Sequence, residues 1–186
     1  MKKTLAALTF SLIAPFASAI DCTGMGSWLN QACAHVSDVA QNGKSDIYVS
    51  GYTWHDPSKY TEEKLNALNQ WGWGGGYGKH VVDENGNEDL VLGMIFSDSH
   101  KNPELMVGYA GLWFTDPVLG GLSLGGGYTV GLTSRRDIFG GIPFPIVLPV
   151  AVIRYRQVSV MGTFIPSMGG VNNGNVAFFF SRYEFE

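Results

Sequence analysis

Residues 122–133 read LSLGGGYTVGLT, and the alternation within this stretch decides the fold. One parity carries leucine, tyrosine and valine with a single glycine, while the other carries only serine, threonine and glycine. Because successive side chains of a strand point to opposite faces, this segment has one apolar face and one small or polar face. The pattern is typical of a membrane-spanning β-strand whose apolar face contacts lipid.

Segments of similar length recur on both sides of this strand, separated by residues that favour turns. The connection at residues 83–87, DENGN, contains an Asn-Gly pair, which is a strong hairpin signal. The sequence therefore predicts an all-β fold, an eight-stranded antiparallel outer-membrane β-barrel. The predicted strands are 45–54, 73–82, 88–97, 104–114, 121–133, 147–155, 158–165 and 175–185.

The residues before the barrel divide into two predicted parts. Residues 1–19 have a basic start, an apolar stretch and an Ala-Ser-Ala site, which together indicate a cleaved signal peptide. Residues 20–44 form a periplasmic segment with an amphipathic helix at 27–41, and the barrel domain occupies 45–186. Two roles are open for this helix, a simple cap on the barrel or an element resting on the inner leaflet of the outer membrane.

Composition and charge exclude several classes of protein. Cleavage removes two lysines and leaves 10 basic against 16 acidic residues, a poor balance for binding nucleic acid. The histidine, cysteine and carboxylate spacings form no closed metal site, and no cofactor-binding motif is present in its required context, so we expect neither a metal nor a cofactor. Cys22 and Cys33 either form a disulfide in the oxidising periplasm or remain free thiols.

Two strands depart from the simple alternation, because residues 146–153 and 176–180 are apolar on both faces. An aqueous pore would need polar side chains inside every strand. A partly apolar interior beside inward glycines indicates either a cavity for a greasy ligand or a solidly packed small barrel, since eight strands leave little internal space.

Topology brings three chemically useful residues to one end of the barrel. With a periplasmic N-terminus, the long connections at 55–72 and 134–146 lie outside the cell. His55 ends the first strand, and Asp98 and Ser99 follow the third, so all three reach the external rim. A histidine base, an orienting carboxylate and a hydroxyl are the groups that acyl transfer requires. Arg135 and Arg136 in the next external loop are either surface charges or a site for lipid phosphate.

Several short stretches, in the same order, resemble the lipid A palmitoyltransferase (PagP) family over residues 45–186. The matching stretches are TWH at 53–55, WGGGYG at 73–78, FSDS at 96–99, IPFPIVLP at 142–149, FIP at 164–166 and NNGNV at 172–176. The resemblance implies an enzyme of the Gram-negative outer membrane with its active site toward the cell exterior. It implies transfer of a palmitoyl chain from the sn-1 position of a glycerophospholipid to lipid A of lipopolysaccharide, without a cofactor.

The resemblance also assigns residues to roles. His55, Asp98 and Ser99 match the essential residues of the family, with His55 as the expected general base. Arg136 matches the basic residue of the fifth-strand loop. Whether transfer is direct or passes through an acyl-enzyme is left open, as is the acceptor hydroxyl.

Two prolines extend this resemblance. Pro149 and Pro166 match the prolines that weaken pairing between strands six and seven and admit lipid sideways, because proline supplies no N–H to a strand ladder. At a second such opening this sequence has Ser50 and Gly72, a departure from the family.

At the floor of the acyl pocket the sequence has Ala110 beside Gly108, and the additional methyl group makes the preferred chain length an open question. Two other interpretations are retained: a non-enzymatic structural or adhesive outer-membrane barrel, and a soluble periplasmic lipid-binding barrel.

Overall fold

A computed structural model describes residues 22–24, 26–168 and 174–185 as a closed antiparallel barrel in which each strand pairs with its neighbours in the chain and β8 pairs with β1. The predicted signal peptide lies outside the described residues. In the part of the chain that is described, no helix is long and apolar enough to span a bilayer. The elements are α1 (Ser27–Asn42), β1 (Lys44–His55), α2 (Glu62–Ala67), β2 (Gly74–Val82), β3 (Glu88–Ser97), β4 (Pro103–Phe114), β5 (Leu122–Ser134), β6 (Phe144–Tyr155), β7 (Val158–Ile165) and β8 (Val176–Glu184).

The eight-stranded fold predicted from the sequence is confirmed, with one large difference at a strand end. β6 begins at Phe144 rather than at 147, because its first residues pair with β5 as far as Thr133. Two short elements inside the long connections were not predicted. They are α2, whose N-cap Thr61 accepts a hydrogen bond from the backbone of Lys64, and a single 3-10 turn at Phe139–Gly141.

Strand β5 has the faces that its alternation predicts. Ser123, Thr129 and Thr133 are buried inside the barrel, whereas Leu124 and Leu132 are about half exposed on the outside. Neighbouring strands add further exposed aliphatic and aromatic side chains to this outer surface. The outside of the barrel is therefore an apolar surface of the kind that a bilayer covers.

The interior near the N-terminus of β1 is filled by buried charges, and we call this end the helix rim. Arg182 is 1% exposed and lies between Glu88, at 2.6 Å, and Glu184. His80 Nδ1 and Asp46 Oδ1 are 2.9 Å apart in the same layer. Buried charges are tolerated when they pair in this way, so the helix rim is closed by a network of ion pairs.

Helix α1 packs across the helix rim against β2 and β3. Val39 is fully buried, His35 Nε2 lies 2.8 Å from Asp89 Oδ2, and Trp28 remains 71% exposed. A disulfide joins Cys22 to Cys33 and so ties the preceding residues to the helix. The helix therefore caps the barrel at its C-terminal half and presents an apolar surface at its N-terminal half.

Candidate active site

The opposite end of the barrel, which we call the His55 rim, is formed by the end of β1 and the turn after β3. His55 Nε2 lies 2.8 Å from Ser99 Oγ, a hydrogen bond between residues 44 positions apart in the chain. The imidazole is only 4% exposed and contacts the ring of Tyr60 edge-on, with centroids 5.7 Å apart. The structure thus brings two of the three predicted residues into direct contact.

Asp98 belongs to the same rim but does not bond to His55. Its Oδ1 accepts the backbone N–H groups of His100, at 2.8 Å, and Asn102, at 2.7 Å. These bonds close the turn in which Lys101 adopts a positive φ of 63°. One carboxylate oxygen of Asp98 therefore stabilises the turn, and neither oxygen forms the hydrogen bond to His55 that an orienting role requires.

Two polar atoms at this rim are buried and have no hydrogen-bond partner in the described structure. They are Nδ1 of His55 and Oδ2 of Asp98. Buried polar atoms are nearly always paired, because an unpaired one loses the hydrogen bonds that water supplied. Unsatisfied atoms of this kind, beside a histidine–serine contact, are typical of a site that completes itself with a substrate or ligand.

The two arginines of the loop after β5 behave differently. Arg135 donates to Asp137 at 2.8 Å and lies 3.8 Å from Glu104. Burial opposes the charged form of Asp137, but the hydrogen bond and positive charge of Arg135 outweigh it and hold the pKa of this carboxyl below its usual value. Arg136 is exposed and makes no ion pair within the described residues. The guanidinium group that remains available is therefore the one predicted from the resemblance.

An apolar cavity lies inside the barrel between the two rims. It is narrow, about 20 Å³, which is room for about one water molecule. Ala110 lines it, whereas Gly108 is not part of the lining that the described residues form. The rings of Phe96 and Phe178 stack with their centroids 4.6 Å apart. Phe96 lies two residues before Asp98, and Phe178 lies two residues after Val176, the residue that pairs with His55. The stacked rings therefore lie just inside the His55 rim. A bound acyl chain would require some of these side chains to move apart. The residues that line the cavity are Tyr48, Leu90, Leu92, Met106, Ala110, Thr129, Val150, Met161, Thr163, Phe178 and Phe180.

Pairing between β6 and β7 stops well short of the His55 rim. The pairs run only from Tyr155–Val158 to Val150–Thr163, while β6 pairs with β5 as far as Phe144. Beyond that point the hydroxyl of Thr163 donates to the carbonyl of Pro149 at 2.9 Å. Pro149 therefore stands where the ladder ends, and Pro166 follows the last residue of β7.

The side of the barrel between β1 and β2 is bridged instead. Ser50 Oγ donates to the carbonyl of Gly72 at 2.6 Å, and the backbone N–H of Thr53 donates to the carbonyl of Gln70 at 2.8 Å. These bonds bridge the place where the resemblance implied a second opening and where the sequence departs from the family.

Sequence reasoning did not identify Tyr60, Glu104 and Asp137 as parts of this rim. Glu104 had a signal, since it is a charged residue at an inward position of a membrane strand. Tyr60 had none, because it lies in a polar loop. Its contact with His55 depends on the distant Gly174, where any Cβ atom would overlap the Tyr60 ring.

Comparison with known proteins matches residues 35–182 to the family described as "Antimicrobial peptide resistance and lipid A acylation protein PagP". A protein named Lipid A acyltransferase PagP from Bordetella bronchiseptica is 40% identical over 185 residues, covering 100% of both chains. Its namesake from Methylobacillus flagellatus is 40% identical over 179 residues, or 96% of each chain. One from Legionella pneumophila is 38% identical over 163 residues, which is 87% of this chain and 85% of its own. The matched region includes the His55 rim, and the chain belongs to the PagP family.

Proposed function

We propose that this protein is an outer-membrane acyltransferase that moves a long acyl chain, of the palmitoyl class, from the sn-1 position of a glycerophospholipid to lipid A. The observation that carries the proposal is the buried contact between His55 Nε2 and Ser99 Oγ at 2.8 Å, above an apolar cavity. Membership of a family whose relatives are named lipid A acyltransferases supports the same activity.

In the proposed reaction, His55 acts as the general base. The imidazole removes a proton from a lipid A hydroxyl, whose oxygen attacks the carbonyl carbon of the donor ester. The bond from that carbon to the glycerol oxygen breaks, and the leaving oxygen takes the proton from the imidazolium. The products are an acylated lipid A and a lysophospholipid. If Ser99 first attacks the ester, the same proton transfers occur twice, and an acyl-serine forms between them.

Asp98 has a positioning role in this scheme. Its Oδ1 holds the turn that carries Ser99, whose hydroxyl lies against the His55 imidazole. Direct orientation of His55, as in a serine hydrolase triad, would require a hydrogen bond that forms only with substrate present.

The cavity receives the acyl chain in this proposal, and separation of Phe96 and Phe178 admits it. The flexible side chains of Met106 and Met161 then yield to the chain, because methionine repacks at low cost. Ala110 lies at the floor and limits how deep the chain reaches. Gly108, two residues before Ala110 on the same face of β4, contributes by placing no side chain in the path of the acyl chain.

Lipid access and acceptor binding complete the proposal. Donor lipid enters sideways where β6 and β7 lack pairing, beside Pro149 and Pro166. The His55 rim faces the cell exterior, the side on which lipopolysaccharide resides. Arg136, exposed beside this rim, binds a phosphate of lipid A through its guanidinium group. No cofactor takes part.

The direct test is an assay with purified full-length protein in detergent. A glycerophospholipid labelled in its sn-1 acyl chain and purified lipid A are incubated together, and both products are weighed by mass spectrometry. We expect His55→Ala to lower the rate by about 10²–10⁴-fold. His35→Ala, which alters a histidine at the helix rim, is the matched control and should keep near-normal activity.

Two results would contradict the proposal. If the unaltered protein formed no lysophospholipid under any condition, a structural or adhesive barrel would be the better interpretation. If His55→Ala transferred acyl chains at the normal rate, the base would be another group.

A further inference from the structure

A second cluster of charged side chains adjoins the His55–Ser99 contact. Asp98 and His100 come from the turn after β3, and Asp137 from the loop after β5. Each offers one ligand atom, and these atoms lie within 4.8 Å of one another. His100 Nδ1 and Asp137 Oδ2 are already 3.5 Å apart. Two loops that are distant in sequence thus present one imidazole and two carboxylates to a common point.

The unpaired carboxylate oxygen of Asp98 is independent evidence that a ligand binds at this point. Asp98 is 96% buried, since its side chain is only 4% exposed. Its Oδ1 is satisfied by two backbone N–H groups, but its buried Oδ2 has no hydrogen-bond partner among the described residues. A buried carboxylate oxygen without a partner is costly, and a cation removes that cost.

Local charge favours a cation as well. Arg135 is the guanidinium that contacts Asp137, but it is shared with Glu104 at 3.8 Å. One shared positive charge does not neutralise both aspartates. Arg135 donates to both oxygens of Asp137, at 3.1 and 2.8 Å, but each oxygen keeps a second lone pair with which it can bind a cation.

We propose that Asp98, His100 and Asp137 bind one divalent transition-metal cation of the zinc class. One imidazole and two carboxylates suit zinc better than calcium or magnesium, which prefer oxygen ligands alone. Two ligand atoms on one tetrahedral zinc lie about 3.4 Å apart, given bonds of about 2.1 Å. The widest pair in the cluster therefore needs to close by up to about 1.4 Å, and the half-exposed side chain of His100 has the freedom to move.

This site differs from the expectation of no metal, which was based on spacing along the chain. Sequence spacing reveals sites whose ligands share one segment, whereas here residues 98 and 100 meet residue 137 across the rim. The metal is also not a cofactor for the reaction. Three protein ligands leave a fourth position open to water or to a phosphate oxygen.

The consequence for catalysis, which rests on the proposed function, is inhibition. A cation bound to this cluster adds positive charge near a histidine that must accept a proton. Zinc occupancy is therefore expected to lower acyl transfer, and a chelator to restore it.

The first experiment measures binding and needs no enzymatic activity. The folded full-length protein in detergent is titrated with zinc chloride by calorimetry, and with calcium and magnesium chloride in parallel. We expect one zinc site, and a loss of affinity of about tenfold or more in both His100→Ala and Asp137→Asn. His35→Ala is the matched control, because His35 also lies beside a carboxylate, Asp89, but at the opposite rim.

The outcomes separate this proposal from the proposed function. Zinc binding that survives in His100→Ala and is lost in His35→Ala would overturn the site, as would calcium binding more tightly than zinc. Inhibition by zinc in the unaltered protein, but not in His100→Ala, supports the regulatory role. If no preparation transfers acyl chains, yet one zinc binds through His100, the metal site stands and the acyltransferase proposal fails.

Discussion

The two ends of the barrel both bury charged and polar side chains, but they satisfy them differently. At the helix rim, Arg182 pairs with Glu88 and Glu184 through Nη2, and His80 pairs with Asp46. The Nε and Nη1 atoms of Arg182 are buried without a hydrogen-bond partner among the described residues. At the His55 rim, a ring nitrogen of His55 and a carboxylate oxygen of Asp98 have no partner in the described structure. The unpaired atoms of the helix rim belong to a guanidinium group that Glu88 and Glu184 still hold through Nη2. Those of the His55 rim belong to the two groups that are proposed to carry the chemistry.

This contrast predicts that substitutions at the two rims affect different properties. Changes at the helix rim should lower stability and leave the activity of each folded molecule intact. Changes at the His55 rim should do the reverse, because its polar groups contribute to catalysis more than to folding.

Arg182→Met should be the most damaging change at the helix rim. It removes the shared partner of Glu88 and Glu184, and leaves Glu88 with Arg154 and Glu184 with a longer contact to His80. The cost should therefore lie toward the lower end of the about 3–5 kcal/mol that loss of a buried partner takes from the free energy of unfolding. Urea unfolding in detergent, followed by tryptophan fluorescence, measures this cost. Arg156→Met, at an exposed turn, is the control and should change stability by about 0.5 kcal/mol or less. An unchanged unfolding midpoint for Arg182→Met would mean that the network does not hold this end closed.

Ser99→Ala should have the opposite profile. It removes the hydroxyl that lies against His55, so the rate should fall by about 10²–10³-fold while the unfolding midpoint stays within error. Rapid-quench mass spectrometry of the intact protein adds a second measurement. A mass increase by one acyl group that Ser99→Ala lacks would establish an acyl-enzyme, and its absence would favour direct transfer. Full activity in Ser99→Ala would contradict any chemical role for this contact.

Tyr60→Ala should produce an intermediate effect at the His55 rim. The Tyr60 ring packs edge-on against His55, and its loss frees the imidazole to leave its hydrogen bond with Ser99. Activity should fall by about tenfold, since misplacement of a catalytic group is costly even without loss of the group itself. Tyr60→Phe keeps the ring and is the matched control, so it should retain activity. Equal losses in both variants would point to the hydroxyl instead of the packing.

The fold was accessible from the sequence because a barrel strand has a period of two and a nearly fixed length. The alternation in β5 and the turn at 83–87 indicate where the strands around them begin and end, and the structure confirms these strands. The exceptions have local causes. β6 extends further than predicted because Phe144 still finds β5 partners, although Pro145 makes that stretch look like a loop.

The site was only partly accessible from the sequence. Topology is enough to place His55 and Ser99 at one rim, since strands one and three both end there. It does not reveal how the Asp98 carboxylate is used, because that depends on which N–H groups the turn of residues 98–102 directs at it. Contacts made across loops, such as Tyr60 on His55, have no periodicity and leave no trace in a single sequence.

The smallest predicted effect concerns the cavity lining between the two rims and its influence on acyl-chain length. Ala110 is 2% exposed and lines the cavity floor, so Ala110→Gly should deepen the space by one methyl group. One additional buried methylene in the acyl chain is worth about 0.8 kcal/mol, or roughly fourfold in selectivity toward the longer chain. Competition between two donors that differ by one methylene, read by mass spectrometry of the acylated lipid A, measures this ratio. Gly93→Ala, on the outer face of β3, is the control and should leave the ratio unchanged, because its added methyl group would meet Val107 at an ordinary 3.6 Å. If Ala110→Gly leaves it unchanged too, chain length is set by another part of the lining, such as Tyr48, whose hydroxyl donates to Asp46 at the helix rim.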